Sequence, residues 1–129
     1  MEKGIGLREL NLAGGWYPDD AAEIRSLVSN WTRLQKNLSA FAVVAPHAGW
    51  YFSGDLAAKA LWSLRDCDTV AILGGHLRRG DPLLFAEEGH FDCTVREAEN
   101  DVQLLDALMS ELKNVGIKEI APARDIDNS

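Results

Sequence analysis

The chain is poor in features that mark several large classes of protein. It has two cysteines, Cys67 and Cys93, too few for a disulfide framework, so we expect a reducing, cytoplasmic compartment. No cluster of lysine and arginine interrupts a net charge of −7, which argues against binding to nucleic acid or to an anionic membrane surface. No apolar run approaches the length of a membrane span, and the N-terminus lacks the long apolar core of a secretory signal.

The overall composition is that of an ordinary globular protein. Hydrophobic residues make up 47% of the chain and charged residues 26%, and 129 residues is near the common size of one domain. No internal repeat, linker or low-complexity segment divides the sequence. We therefore expect a single domain over residues 1–129 with a core of its own.

Two apolar runs dominate the middle of the sequence. Residues 41–45 and 69–73 are typical of strands buried on both faces, and a helical pattern over residues 53–64 connects them. Strand, helix and strand in this order predict a βαβ unit with parallel neighbouring strands. His47 follows the first run and His76 follows the second, so both histidines are expected at the same edge of the sheet, where α/β proteins bind ligands.

Other segments extend this α/β pattern on both sides. A helix is predicted over residues 20–36, and a second one after Asn100 as its N-cap, ending at Asn114 or Gly116. Further short strands are predicted at 83–86, 90–95 and 117–121. The expected architecture has three layers, with a mostly parallel sheet flanked by helices.

The two histidines are the first candidates for chemistry. Neutral imidazoles suit Fe, Zn, Cu or Ni, but two of them need a third partner for a usable site. Asp127 offers the carboxylate of a two-histidine, one-carboxylate set, but a solvated acidic tail is the favoured interpretation. The alternative for His47 and His76 is that each caps a loop by hydrogen bonding.

Three further residues are candidates for a substrate pocket. Trp50 and Tyr51 form an aromatic pair beside the His47 loop, where they wall a pocket or pack in the core. Arg78 lies in a polar loop and either meets an anionic ligand or belongs to a solvated surface turn.

The sequence also resembles a known family. Residues 45–54, APHAGWYFSG, resemble the PHAG-containing motif of the Memo proteins, and residues 13–18, AGGWYP, are similar to their N-terminal motif. Residues 72–76, ILGGH, resemble their second histidine motif, and residues 127–129 fall where the family carries Glu-His-Ser. The match runs in the right order along almost the whole chain.

The resemblance implies a fold shared with the extradiol ring-cleaving dioxygenases that use non-haem iron. It implies a metal site built from the equivalents of His47 and His76 plus a cysteine near the family's C-terminus, and bacterial members are often encoded beside a radical-SAM protein. Family chains are considerably longer, so this sequence corresponds to their N-terminal half. It also carries Asn128 where the family has a histidine.

Two functional hypotheses follow. The first is a metal-dependent, oxidoreductase-like enzyme that binds Fe(II) or another divalent metal through His47 and His76 and acts on a small molecule. The second is a non-catalytic binding or interaction protein that keeps the fold without a complete site. Because a shortened sheet leaves an unpaired edge and an uncovered apolar face, we also expect a homo-oligomer.

Overall fold

A computed structural model describes residues 6–9, 12, 14–74, 78–79, 81–86, 88–117 and 120–123. The chain divides into two compact units, which are described in turn. The helical unit comprises Leu10–Ala71, and the strand unit comprises Met1–Glu9 with Ile72–Ser129.

The helical unit begins its regular structure with α1, Ala21–Thr32. Asp20 caps this helix because its carboxylate accepts a hydrogen bond from the Glu23 amide at 2.7 Å, which satisfies one of the free N–H groups of the first turn. Ile24 is buried on the inner face at 9% exposure. The helix confirms the predicted position but ends four residues before the predicted end at residue 36.

The second helix of this unit, α2, spans Trp50–Trp62. It begins three residues earlier than the predicted 53–64. Past its end, the side-chain amide of Asn37 donates to the carbonyl oxygens of Trp62 at 3.0 Å and Leu64 at 2.8 Å. The first bond satisfies a carbonyl of the last turn of α2, which has no intrahelical partner, and the second satisfies a carbonyl just beyond the helix.

The two helices pack through aromatic and small residues. The ring centroids of Trp31 on α1 and Trp50 on α2 lie 5.9 Å apart at an interplanar angle of 57°, a tilted arrangement that aromatic pairs favour. Gly54 is buried beneath the Trp31 ring, and a Cβ atom at this position would lie 2.9 Å from it. The absence of a side chain at Gly54 therefore allows this close approach.

The two apolar runs predicted as buried parallel strands do not form strands, so that prediction is wrong. Residues 41–45 and 69–73 have no regular secondary structure, and Val44 and Ile72 are 96% and 83% exposed. A strand is stable when neighbouring strands satisfy its backbone groups. In the described ranges neither run joins a ladder, so apolar composition alone does not make them strands.

The strand unit contains small sheets and one helix, within the ranges described. Its elements are β1 Leu7–Arg8, β2 Leu83–Ala86, β3 His90–Asp92, β4 Glu97–Glu99, α3 Val102–Asn114 and β5 Ile120–Ala123. One sheet has the order β1-β3-β4, with β1 parallel to β3 and β3 antiparallel to β4. The other pairs β2 with β5 in parallel, with Leu83 opposite Ile120.

Three boundaries in the strand unit differ from those predicted from the sequence. The strand predicted over 90–95 ends at Asp92, because the Asp92 carboxylate accepts the Thr94 amide at 2.7 Å and Thr94 has a φ of 60°, which begins a turn. The strand predicted over 117–121 lies at 120–123. The N-cap of α3 is Asp101 rather than Asn100, since the Asp101 carboxylate accepts the Leu104 amide at 3.0 Å.

These elements confirm an α/β protein with helices and small sheets. Among the described residues the parallel pairing is limited to β1 with β3 and β2 with β5, so the three-layer arrangement stays a prediction. The single domain over residues 1–129 likewise stays a prediction. No described helix combines the length and the apolar character needed to cross a membrane.

Candidate functional site

The candidate site begins with a turn that carries the first sequence motif. This tryptophan turn, residues 14–17, is closed by a hydrogen bond of 2.7 Å from the Gly14 amide to the Tyr17 carbonyl. Gly14 has a φ of 79°, which a glycine adopts without steric cost. The Trp16 amide donates to the Leu12 carbonyl at 3.0 Å, so the turn is fixed at both ends.

The second motif supplies the histidine loop, residues 46–49, which leads directly into α2. Its last residue, Gly49, is buried and is the N-cap of the helix. The hydroxyl of Ser53 donates to the Ala48 carbonyl at 3.2 Å, which ties the loop to the first turn of α2. His47 lies in the middle of this loop and is exposed.

The structure brings the two motifs into contact. The Trp50 amide donates to the Trp16 carbonyl at 2.8 Å, so the tryptophan turn binds the first N–H group of α2. A Cβ atom at Gly49 would lie 3.4 Å from the Trp16 carbonyl oxygen and 3.5 Å from its ring, which shows how closely Trp16 covers this position. Segments 32 residues apart in sequence therefore form one local structure around the histidine loop.

Comparison with known proteins identifies these motifs. The family model described as Memo-like protein matches residues 8–124. The chain belongs to the Memo family. The resemblance of the two motifs to that family is thus confirmed, and the tryptophan turn and the histidine loop both lie inside the matched region.

Curated Memo relatives cover most of this chain at low identity. A MEMO1 family protein of Archaeoglobus fulgidus is 29% identical over 103 residues, which are 79% of this chain and 39% of the relative. One from Pyrococcus furiosus is 30% identical over 105 residues, covering 76% of this chain and 36% of the relative. One from Nitrosopumilus maritimus is 24% identical over 131 residues, covering 92% and 47%. The chain therefore spans less than half the length of these relatives.

The metal ligands expected from the Memo resemblance are described only in part. His47 is exposed, as a ligand open to solvent must be, whereas His76 and Asp127 lie outside the described residues. The convergence of the two histidines thus stays a prediction. Within the described ranges, no three or more His, Cys, Asp or Glu side chains are grouped so that they can hold a metal ion.

The aromatic pocket candidates have different environments. Trp50 packs against Trp31, which agrees with the core-packing alternative for this residue. Tyr51 is 84% exposed on the first turn of α2. Tyr51 is therefore available to a ligand beside the histidine loop, whereas the Trp50 ring is already engaged between the helices.

Arg78 lies in the strand unit, in a short turn. Its amide donates to the Asp81 carboxylate at 2.6 Å, and the Asp81 amide donates to the Arg78 carbonyl at 3.0 Å. Arg78 is exposed. This geometry agrees with the surface-turn alternative, and the exposed position leaves Arg78 accessible to an anion.

Two features of the helical unit were missed by the sequence analysis. An apolar cavity of about 330 Å³ lies along the α1–α2 contact. Its lining consists of Val28, Trp31, Trp50, Gly54, Ala57, Ala58, Leu61 and Trp62. The sequence feature that could have predicted this cavity is the set of small residues on α2, Gly54, Ala57 and Ala58, which recur at helical spacing opposite Trp31 of α1.

The second missed feature is the hydroxyl of Tyr17. Its oxygen atom is buried and makes no hydrogen bond to the described part of the protein. A buried polar atom without a partner is costly and is normally satisfied by water or a ligand. Tyr17 therefore adds a polar group to the tryptophan turn, next to the residue that contacts the histidine loop.

Proposed function

We propose that this Memo-family chain binds a divalent metal, Fe(II) or a related ion, through His47 and His76. The observation that supports the proposal is the histidine loop, in which an exposed imidazole is carried on a backbone anchored by Trp16 and Ser53. A fixed, solvent-accessible imidazole suits a transition metal. The family motifs provide the second imidazole, His76.

The donor set determines what such a site does. Two imidazoles leave most of the coordination sphere to water and substrate, so affinity is modest unless a carboxylate such as Asp127 joins them. Bound iron would supply redox chemistry with oxygen, and the proposed enzyme class is therefore a non-haem-iron oxidoreductase. A small-molecule substrate would be bound beside the loop, where the exposed side chain of Tyr51 is the candidate contact.

Metal titration tests this proposal directly. Zn(II), and Fe(II) without oxygen, are titrated by calorimetry into wild-type protein and into His47→Gln and His76→Gln. His90→Gln is the matched control, because the chain has three histidines and His90 is in β3. We expect saturable binding that each of the first two substitutions abolishes and that His90→Gln leaves unchanged. Binding that survives both His47→Gln and His76→Gln would refute the proposed ligands.

The alternative is a non-catalytic binding or interaction protein of the cytoplasm that associates with itself. The specific observation in its favour is the run 41–45, which is apolar, belongs to no strand, and includes Phe41 at 81% exposure and Val44 at 96%. Unpaired segments with exposed apolar side chains readily add to a strand of another chain. We therefore propose a homo-oligomer in which this run is paired, burying more than about 1,000 Å² if the interface is stable.

Light scattering at micromolar concentration measures that association. We expect a dimer or larger species in wild-type protein, and a shift toward monomer in Val44→Ser. Leu34→Ser is the matched control, because Leu34 is 87% exposed but lies outside the run. A wild-type monomer at all concentrations, or equal effects of the two substitutions, contradicts the proposed interface.

A further inference from the structure

We propose that the carbonyl group of Trp16 is a positioning group for the histidine loop, which it holds in one conformation by binding the start of α2. The inference rests on the proposed function, since a positioning group matters when His47 acts as a ligand. It goes beyond that function because it assigns a role to the tryptophan turn, which contains none of the proposed metal ligands.

The first step concerns the N-terminus of α2. The first N–H groups of a helix have no intrahelical partners, and most helices satisfy one of them with the side chain of the N-cap residue. Gly49 has no side chain and provides no such bond. The Trp50 amide instead donates to the Trp16 carbonyl at 2.8 Å. A residue outside the helix and the loop thus fixes where the loop ends.

The second step concerns the backbone between His47 and the helix. The Ala48 carbonyl, immediately after His47, accepts the Ser53 hydroxyl at 3.2 Å, and the Gly49 carbonyl accepts the Phe52 amide at 2.9 Å. Pro46 restricts the chain on the other side of His47, because its φ is fixed by the ring. The backbone on both sides of His47 is thus restrained.

The third step concerns the space at position 49. A Cβ atom there would be in ordinary contact with its surroundings, 3.4 Å from the Trp16 carbonyl oxygen, 3.5 Å from Cε3 of the Trp16 ring and 3.8 Å from Cδ2 of Phe52. Because this buried position is enclosed on these sides, a β-branched side chain such as valine places its further atoms against Trp16, pushes the tryptophan turn away from the helix and lengthens the Trp16–Trp50 hydrogen bond. Because the φ of 79° at Gly14 sets the conformation of the tryptophan turn, Trp16 cannot move away from the helix without distorting that turn.

The geometry therefore makes Gly49→Val a selective perturbation. Gly15→Val is its matched control, because Gly15 is exposed in the same turn and a Cβ there meets the Leu12 carbonyl oxygen at 3.7 Å. Ser53→Ala is the second test variant, since it removes the hydroxyl bond to Ala48 and leaves Gly49 unchanged. If Gly49→Val does not fold, the Ser53→Ala result decides the proposal.

The primary measurements use metal-free protein. Hydrogen exchange of the Trp50 amide is compared with exchange at residues in the middle of α1, and the imidazole proton resonances of His47 are recorded by NMR. We expect Trp50 exchange to quicken by about tenfold or more in Gly49→Val while α1 exchange is unchanged, which is the pattern of local opening. We expect the His47 resonances to shift or broaden in Gly49→Val and in Ser53→Ala, but not in Gly15→Val.

Metal titration of the same variants provides the functional readout. We expect Zn(II) affinity to fall by about tenfold to a hundredfold in Gly49→Val, as when groups that orient a ligand are removed. Unchanged Trp50 exchange and unchanged His47 resonances in Gly49→Val overturn the positioning role. If wild-type protein binds no metal but the two spectroscopic changes occur, the positioning role stands and the proposed metal function fails.

Discussion

Substitution of Gly54 by alanine tests whether the close packing of α1 on α2 is required for stability. Gly54 is buried in the middle of α2, and the added Cβ would lie 2.9 Å from Cη2 and 3.1 Å from Cζ3 of Trp31. It would also lie 3.2 Å from the Cβ of Trp50, an atom fixed by the backbone of the same helix. The ring of Trp31 must therefore move.

Two opposing effects determine the magnitude. Alanine is favoured over glycine inside a helix by about 1 kcal/mol, which alone would stabilise the protein. Overpacking a close contact typically costs about 1–3 kcal/mol, and displacing Trp31 also weakens its tilted contact with Trp50. The steric effect is larger, so we expect Gly54→Ala to lower the free energy of unfolding by about 1 kcal/mol.

Urea unfolding followed by circular dichroism and tryptophan fluorescence measures this change, and a double-mutant cycle with Trp31→Phe isolates its cause. The smaller phenylalanine ring lacks the indole atoms that the new methyl group meets. In the Trp31→Phe background, Gly54→Ala should therefore be neutral or stabilising, because the gain in helix propensity remains and the clash is gone. Equal destabilisation in both backgrounds would show that the clash with Trp31 is not the cause.

Three further predictions concern the ends and surface of the helices. Asp20→Ala should destabilise the protein by about 1 kcal/mol in urea unfolding, because the Glu23 amide loses its capping acceptor, whereas Asp20→Asn should cost much less. Asn37→Ala should cost about 1 kcal/mol by the same assay, because the carbonyls of Trp62 and Leu64 lose a donor, and an unchanged urea midpoint would contradict this. The hydrogen bond from Lys59, 2.9 Å away, lowers the pKa of Asp55 below its ordinary 3.8, so the pair stabilises the folded state above that pH and the effect is lost as the pH falls below it. Asp55→Asn should thus lower the urea midpoint slightly at pH 7 and leave it unchanged at pH 2, and the reverse pattern would contradict the assignment.

The helices were predictable because their signals are local. Apolar periodicity placed α1, and the N-cap of α3 was missed by one residue because Asn100 and Asp101 are both good caps. Asn100 has another role, since its side-chain amide donates to the carbonyls of Ala86 at 3.2 Å and Glu88 at 2.9 Å. A single sequence does not show which of two adjacent polar residues caps a helix.

The start of α2 was missed for a different reason. The sequence pattern placed it after Tyr51 and Phe52, because Gly49 and the aromatic residues that follow it look like a loop. The hydrogen bond from Trp50 to Trp16 begins the helix three residues earlier. This partner is 34 residues away, so local propensity does not contain the information.

At the candidate site, too, the feature that is local in sequence was recognised, whereas the features that depend on residues far apart in sequence were missed. The motif around His47 was recognised from sequence, and the family match over residues 8–124 confirms that recognition. The contact of Trp16 with Gly49 was not foreseen, because it depends on how the tryptophan turn meets the helix. The cavity beside Trp31 was missed for the same reason, since it exists only where α1 packs on α2.

The failed strands and the second helix have one physical explanation. One side of α2 packs on α1 through Trp50 and Gly54, but Phe52 and Leu56 on its other side are 89% and 59% exposed. A helix with apolar residues on two opposite sides is expected to be buried on more than one side. Phe41 and Val44 in the run 41–45 are likewise exposed, at 81% and 96%. Within the helical unit, α1 covers one side of α2. A strand at 41–45 would need a neighbouring strand to satisfy its backbone groups.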